Sequence, residues 1–187
     1  MDRGVTVWFT GLPSSGKTTI AHRVEAALKE RGHKVEVFDG DVIRKQLCSD
    51  LGFSKEDRDT NIKRIAFVCK LMTRNAVVAI AAAISPYRET RDYARKEVGK
   101  DFIEVYVKCP LEVCTKRDVK GLYKKALNGE IKGFTGVDDP YEEPLHPELI
   151  LHTDKETVEE STQRVVQELE KRGYIQAPRP MAKQSRQ

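Results

Sequence analysis

Apolar residues along the chain fall into two alternating patterns. Short runs rich in β-branched and aromatic residues have the length of strands, and between them apolar positions recur every three or four residues, the spacing of one helix face. The first run is Val5-Thr6-Val7-Trp8-Phe9-Thr10. A helix is predicted from about Lys17 to Arg31, with Ile20, Val24, Ala27 and Leu28 on its apolar side and Gly32 as a C-cap residue. Lys34-Val35-Glu36-Val37-Phe38 alternates as a second strand, and Asp39-Gly40-Asp41 closes it with an acidic turn that can cap a helix at Val42. Ser54 with Asp57 forms a capping-box pattern ahead of a long helix carrying Ile62, Ile65, Ala66, Cys69 and Met72 on one side. Arg58 and Asn61 are expected away from that side. Val77 to Ile84 is a nearly continuous apolar run, as in a central strand covered on both faces. It breaks at Ser85-Pro86-Tyr87-Arg88, before a charged helix from about Glu89 to Val98. Phe102 to Val107 is a fourth strand, Pro110 opens a helix with Leu111, Val113 and Cys114, and Leu149-Ile150-Leu151 is a fifth strand. A last helix, about Thr157 to Arg172, turns Val158, Val165, Val166 and Leu169 inward and ends at Gly173. Strands alternating with helices predict an α/β sandwich around a parallel sheet with right-handed crossovers.

The segment between the first strand and first helix carries chemistry. Gly11-Leu12-Pro13-Ser14-Ser15-Gly16-Lys17-Thr18 reads G-x-x-x-x-G-K-T, a P-loop, with Thr19 following on the helix. Gly11 and Gly16 let backbone N–H groups turn inward, forming a nest for anionic oxygens. The helix adds the positive end of its dipole. Lys17 supplies a point charge to β- and γ-phosphates, and the Thr18 hydroxyl can ligate Mg²⁺. A glycine turn that binds nothing is the bland alternative; the flanking strand and helix favour phosphate. The fold class is therefore a P-loop NTPase three-layer sandwich with a five-stranded parallel sheet and a lid.

In such a sheet ligands collect at the carboxyl ends of the strands. Asp39 and Asp41 lie at one such end; one carboxylate can hold a metal and the other can act as base. Arg44 follows about one helical turn later, Phe53 sits in an exposed loop, and Ser85 sits at another strand end. From Arg117 to about Pro147 the pattern turns basic and glycine-punctuated, with Gly129, Gly133 and Gly136, and is expected to be a mobile lid that excludes water. Residues 1–175 read as one kinase domain with the lid at about 117–147, and 176–187 as a disordered basic tail.

Composition changes the picture little. The 187 residues carry 33 Lys+Arg against 29 Asp+Glu, and the net +4 is interleaved along helices, so neither nucleic acid nor a membrane is expected as partner. Cys48, Cys69, Cys109 and Cys114 show no C-x-x-C or zinc spacing and are expected as buried free thiols. No signal peptide or membrane-spanning run is read, and a cytoplasmic location is expected. Read from residues alone, the chain is a P-loop kinase of a small anionic acceptor.

Four segments narrow the acceptor: Leu12 to Thr19, Asp39 to Arg44, Leu51 through Arg58 to Asn61, and Ile84-Ser85-Pro86-Tyr87. Together with Lys120-Gly121-Leu122-Tyr123-Lys124-Lys125-Ala126 and Gly129 to Gly136, they resemble the adenylyl-sulfate kinase family over about Gly4 to Tyr174. The resemblance implies transfer of the ATP γ-phosphoryl group to the ribose 3′-hydroxyl of adenylyl sulfate, a step of sulfate activation. It implies that Asp41, Arg44, Phe53, Arg58, Asn61, Ile84, Ser85, Lys120, Gly133 and Phe134 line the acceptor site. Phe53 and Phe134 can sandwich the purine, and Arg44 and Arg58 can hold the phosphosulfate. Lys17 and Mg²⁺, with Thr18 and Asp39 as its ligands, are assigned to the phosphates and Asp41 to the 3′-hydroxyl proton; Arg117, at the root of the lid, is a second cation for ATP by position. The resemblance marks Ser85 as a proposed phosphoserine intermediate. No base stands beside it in the sequence, so direct transfer with Ser85 as a pocket hydroxyl is expected. A homodimer is expected by resemblance only.

Two departures stand out. Pro13 has no N–H to give the nest, and Ala81-Ala82-Ala83 is small enough to loosen packing. Three rivals compete: a P-loop kinase of another small hydroxyl acceptor, a nucleotide switch built on Asp118-Val119-Lys120-Gly121, and a scaffold without activity. The switch lacks an N-K-x-D segment, and the scaffold reading conflicts with intact Lys17, Thr18, Asp39 and Asp41.

Overall fold

The structure is a computed structural model describing residues 3–176, so most of the expected tail lies outside the described residues. Five strands form one sheet: β1 (Val5–Thr10), β2 (Val35–Asp39), β3 (Val78–Ala82), β4 (Phe102–Lys108) and β5 (Leu149–His152). Their spatial order is β2-β3-β1-β4-β5 and every pairing is parallel. The helices are α1 (Lys17–Glu30), α2 (Gly40–Gln46), α3 (Lys55–Arg74), α4 (Arg88–Val98), α5 (Leu111–Arg117), α6 (Leu122–Leu127) and α7 (Val158–Lys171). The expected parallel α/β sandwich is what forms, with strand and helix ends shifted by one or two residues where caps decide them.

Two apolar layers hold it together. Val5, Val7 and Phe9 of β1 point to one face, where α1 packs Ile20, Val24 and Leu28 and α7 packs Val165, Val166 and Leu169. Trp8 points to the other face, against Ile62, Ile65, Ala66 and Cys69 of α3 and Ala94 of α4. The run of alanines does not leave a gap. Ala81 lies in register between Trp8 on β1 and Phe38 on β2, so small residues face the two large rings.

Local chemistry explains the boundaries. Asp39 caps α2, its Oδ1 accepting from the Asp41 N–H at 2.9 Å. Ser54 caps α3 through the Asp57 N–H at 3.1 Å, but the reciprocal bond of a full box is not made; the Asp57 carboxylate takes the Ser54 hydroxyl instead, at 2.8 Å. The complete capping box lies at Thr157 and Glu160, opening α7. Within the expected lid, Lys120-Gly121-Leu122 leads into α6 rather than irregular chain. Asp118 caps it, accepting from the N–H groups of Tyr123 and Lys124 at 2.9 and 3.0 Å. That role accounts for the D-x-x-G match without a nucleotide switch. The segment expected as a lid packs on the rest of the domain: Arg58 donates to Thr135 Oγ1 at 2.6 Å and Tyr123 Oη to the Pro13 carbonyl at 3.0 Å.

Candidate active site

Because all strands are parallel, their carboxyl ends share one edge. Along it lie, in spatial order, Asp39 at the end of β2, Ser85 beyond β3, Gly11 after β1, Cys109 after β4 and Thr153 after β5. The P-loop is at the centre. Gly11 has φ 155°, and a Cβ there would meet the Val107 carbonyl oxygen at 2.5 Å, so only glycine fits. Gly16 (φ 105°) and Ser14 (φ 61°) turn the loop into the start of α1. Lys17 folds over it, its Nζ donating to the carbonyls of Gly11 and Leu12 at 2.8 and 2.7 Å. Burial lowers the Lys17 ammonium to a pKa of about 8; Asp39 and Asp41 pull the other way and Lys120 adds to the lowering.

Thr18 Oγ1 donates to Asp39 Oδ2 at 2.6 Å. These two hard oxygens beside a phosphate nest suit Mg²⁺, which takes one or two protein oxygens together with phosphate and water. No group of three or more His, Cys, Asp or Glu that could hold a metal occurs among the described residues. On the β5 side, Arg117 donates to the Thr153 carbonyl, and Thr153 Oγ1 donates to the Ser15 carbonyl at 2.8 Å. Arg117 is thereby tied to the P-loop through Thr153. Sequence reasoning missed Thr153, although its place one residue past a strand end was a usable signal.

The β2–β3 side collects the expected acceptor residues. Asp41 pairs with Lys120, which reaches it from the turn before α6. Phe53 is 70% exposed, and the Arg44 guanidinium lies 4.6 Å from its ring centroid. Arg44 also donates to the Gly52 carbonyl at 2.5 Å. Burial first, and the nearby Arg58 cation second, push Arg44 below its ordinary range. Arg58 is largely committed to protein: its Nε donates to the Phe53 carbonyl at 2.9 Å, and its fork reaches Thr135, Asp139 and the Gly133 carbonyl. It thereby ties α3 to the 133–139 segment.

Asn61 corrects an expectation. It is 6% exposed, turned inward, and its Oδ1 has no hydrogen-bond partner. A buried orphaned amide oxygen is costly unless a ligand or water meets it. Phe134 stands edge-on to Tyr123, ring centroids 5.0 Å apart at 80°, which braces it for stacking. Ile84 gives its carbonyl to Thr10 Oγ1 at 2.7 Å. Ser85 is 1% exposed with φ 42°; its Oγ accepts from Trp8 Nε1 at 3.1 Å and donates to the Ala83 carbonyl at 3.3 Å. Among the described residues no basic side chain is hydrogen-bonded to that hydroxyl.

The family model described as adenylylsulphate kinase matches residues 3–152. The chain belongs to the adenylyl-sulfate kinase family. It is 58% identical over 176 residues to the adenylyl-sulfate kinase of Rippkaea orientalis, covering 94% of this chain and 97% of that one. Among solved structures it resembles an APS kinase of Mycobacterium tuberculosis in complex with AMPPNP and APS. That match has a TM-score of 0.88 and 45% identity, over 91% of this chain and 99% of the other. A hexameric APS kinase from Thiobacillus denitrificans matches with a TM-score of 0.71 and 36% identity, over 93% of this chain and 30% of that one.

Proposed function

We propose that one edge of the sheet carries the adenylyl-sulfate kinase reaction from donor to acceptor, with the P-loop at its centre and Asp41, Arg44 and Phe53 on the β2 side. The chain is an ATP-dependent adenylyl-sulfate kinase. The ribose 3′-oxygen of adenylyl sulfate attacks the γ-phosphorus of ATP, the β–γ bridging P–O bond breaks, and ADP leaves. The hydroxyl proton passes to the Asp41 carboxylate. The observation that carries this reading is Asp39, which accepts from the P-loop's Thr18 hydroxyl at 2.6 Å and from the Asp41 N–H at 2.9 Å, and so joins the donor loop to the turn that carries the acceptor carboxylate.

Phosphoryl transfer is mainly positioning and charge stabilisation. The nest and Lys17 hold the β/γ oxygens, and an arriving phosphate competes with the Gly11 and Leu12 carbonyls for the ammonium protons. Thr18 and Asp39 would hold Mg²⁺, which, when bound, offsets charge on the phosphate oxygens. Arg117 adds a cation at the β5 side. Arg44 and the part of Arg58 facing it hold the phosphosulfate, Phe53 and Phe134 stack on the purine, and Asn61 Oδ1 accepts from the nucleotide. Ile84 and Ser85 shape the edge beside the sugar, Lys120 exchanges Asp41 for the ligand, and Gly133 places Phe134. Residues 1–175 act as one domain whose segment 117–147 closes over both substrates. Four buried free thiols and the lack, among the described residues, of a helix long and apolar enough to cross a membrane support a cytoplasmic enzyme. A homodimer is the assembly the family resemblance favours, and light scattering on the purified chain tests it.

The deciding experiment is ADP release from ATP and Mg²⁺ with and without adenylyl sulfate. ADP that depends on adenylyl sulfate, matched by an equal amount of 3′-phosphoadenylyl sulfate, is the expected result. Nucleotide binding with no stimulation by adenylyl sulfate overturns the acceptor assignment and leaves only the P-loop.

A further inference from the structure

Arg91, on α4, is 2% exposed and has no role in the reaction above. A buried cation is tolerated only when paired. Its Nε donates to Glu104 Oε1 at 2.9 Å, which is sufficient for that. Glu104 also accepts from Arg95 at 3.3 Å, and Arg95 pairs with Glu148 at 2.6 Å, so the network is balanced without further help.

The rest of the Arg91 fork points elsewhere. One terminal nitrogen donates to the Ser85 carbonyl at 2.5 Å and the other to the Glu142 carbonyl at 2.5 Å. The Tyr141 ring centroid lies 5.7 Å from the guanidinium carbon. Tyr141 Oη is 2.9 Å from Thr10 Oγ1, which itself donates to the Ile84 carbonyl at 2.7 Å. The Ile84–Ser85 edge and the Tyr141–Glu142 end of the lid therefore form one hydrogen-bonded unit with Arg91 in the middle. Ser85 holds a left-handed backbone at φ 42°, which a non-glycine residue keeps only when its surroundings impose it. A planar fork can serve a carboxylate and two carbonyls at once; an ammonium on a flexible stem cannot fix that geometry.

We propose that Arg91 is a positioning residue for the acceptor: it sets the Ser85 backbone and ties it to the lid root, so that the sugar edge and the closing segment take up one arrangement. This rests on the reading of the Ile84–Ser85 edge as part of the acceptor site. Positioning errors on this scale reduce productive binding severely.

The test is steady-state kinetics with both substrates varied, for the wild type and Arg91→Lys. Lysine keeps the charge beside Glu104 and loses the fork. The expected result is a KM for adenylyl sulfate raised about tenfold, with KM for ATP within about twofold of wild type. A folded Arg91→Lys enzyme with an unchanged KM for adenylyl sulfate overturns the inference. So does an equal rise in both KM values, which marks a role in stability alone. Should circular dichroism show that Arg91→Lys has lost its fold, Tyr141→Phe carries the same test. It removes only the bond to Thr10 and leaves the ion pair, and it is expected to raise KM for adenylyl sulfate about threefold with ATP unaffected; no change there refutes the proposal. A wild type without turnover dependent on adenylyl sulfate instead overturns the functional reading, and the inference with it.

Discussion

The depressed Lys17 pKa makes nucleotide binding a proton-uptake event above pH 8. Burial holds the free-enzyme ammonium near 8, against 10.5 for a solvated lysine. Phosphate oxygens in the nest favour the charged form, so binding raises the lysine pKa. The sign follows directly. Below pH 8 the lysine already carries its proton and binding costs nothing extra. Above pH 8 the bound state holds more protons than the free state, and affinity falls as pH rises. With a free pKa of about 8, about 90% of Lys17 is neutral at pH 9 and about 10% at pH 7. ATP binding at pH 9 should then take up about 0.9 proton and be about tenfold weaker than at pH 7, equivalent to about 1.4 kcal/mol. Titration calorimetry without acceptor, in two buffers of different ionisation enthalpy, reads proton uptake and affinity together. Lys17→Arg, whose guanidinium stays charged, should bind ATP without pH dependence over this range even if more weakly. Equal wild-type affinity at pH 7 and pH 9 with no proton uptake would refute the reasoning, because a solvated lysine near 10.5 behaves that way.

Asp41→Asn should lower kcat by about 100-fold or more with ATP affinity unchanged, since general-base loss typically costs that much; near-normal turnover reassigns Asp41 to holding Lys120. Ser85→Ala should keep measurable turnover, because its hydroxyl bonds only Trp8 and a carbonyl; abolished turnover with intact substrate binding and a trapped phosphoserine contradicts that. Leu169→Ala, which empties a fully buried position between α7 and the sheet, should destabilise the fold by about 2–5 kcal/mol in urea unfolding while leaving KM values of the folded enzyme alone.

The P-loop was legible because its chemistry is local: eight consecutive residues define the nest, and a strand and a helix flank it. The parallel sheet was legible for a related reason, since five apolar runs separated by helix-period segments allow few other layouts. Thr157 and Glu160 carried a capping-box signal that the apolar period alone passed over. Asn61 was misjudged because helical spacing measures only the helix's own face. Whether a polar residue points outward depends on what packs beside it, and Asn61 is buried on α3. Arg58 shows the same limit, because its partners at Gly133, Thr135 and Asp139 lie some 75 or more positions away in sequence.

The sequence by itself determined which chemistry the chain carries: a phosphate nest, a lysine, two acidic residues at a strand end, and the motifs of its family. Tertiary structure alone decided how strongly those groups are perturbed and what holds them. Lys17 titrates low because the folded chain buries its ammonium. Ser85 is held in a left-handed turn whose carbonyl is met by an arginine that also grips the end of the lid. Charge and motif are properties of neighbours along the chain, whereas desolvation and three-way hydrogen bonding are properties of neighbours in space.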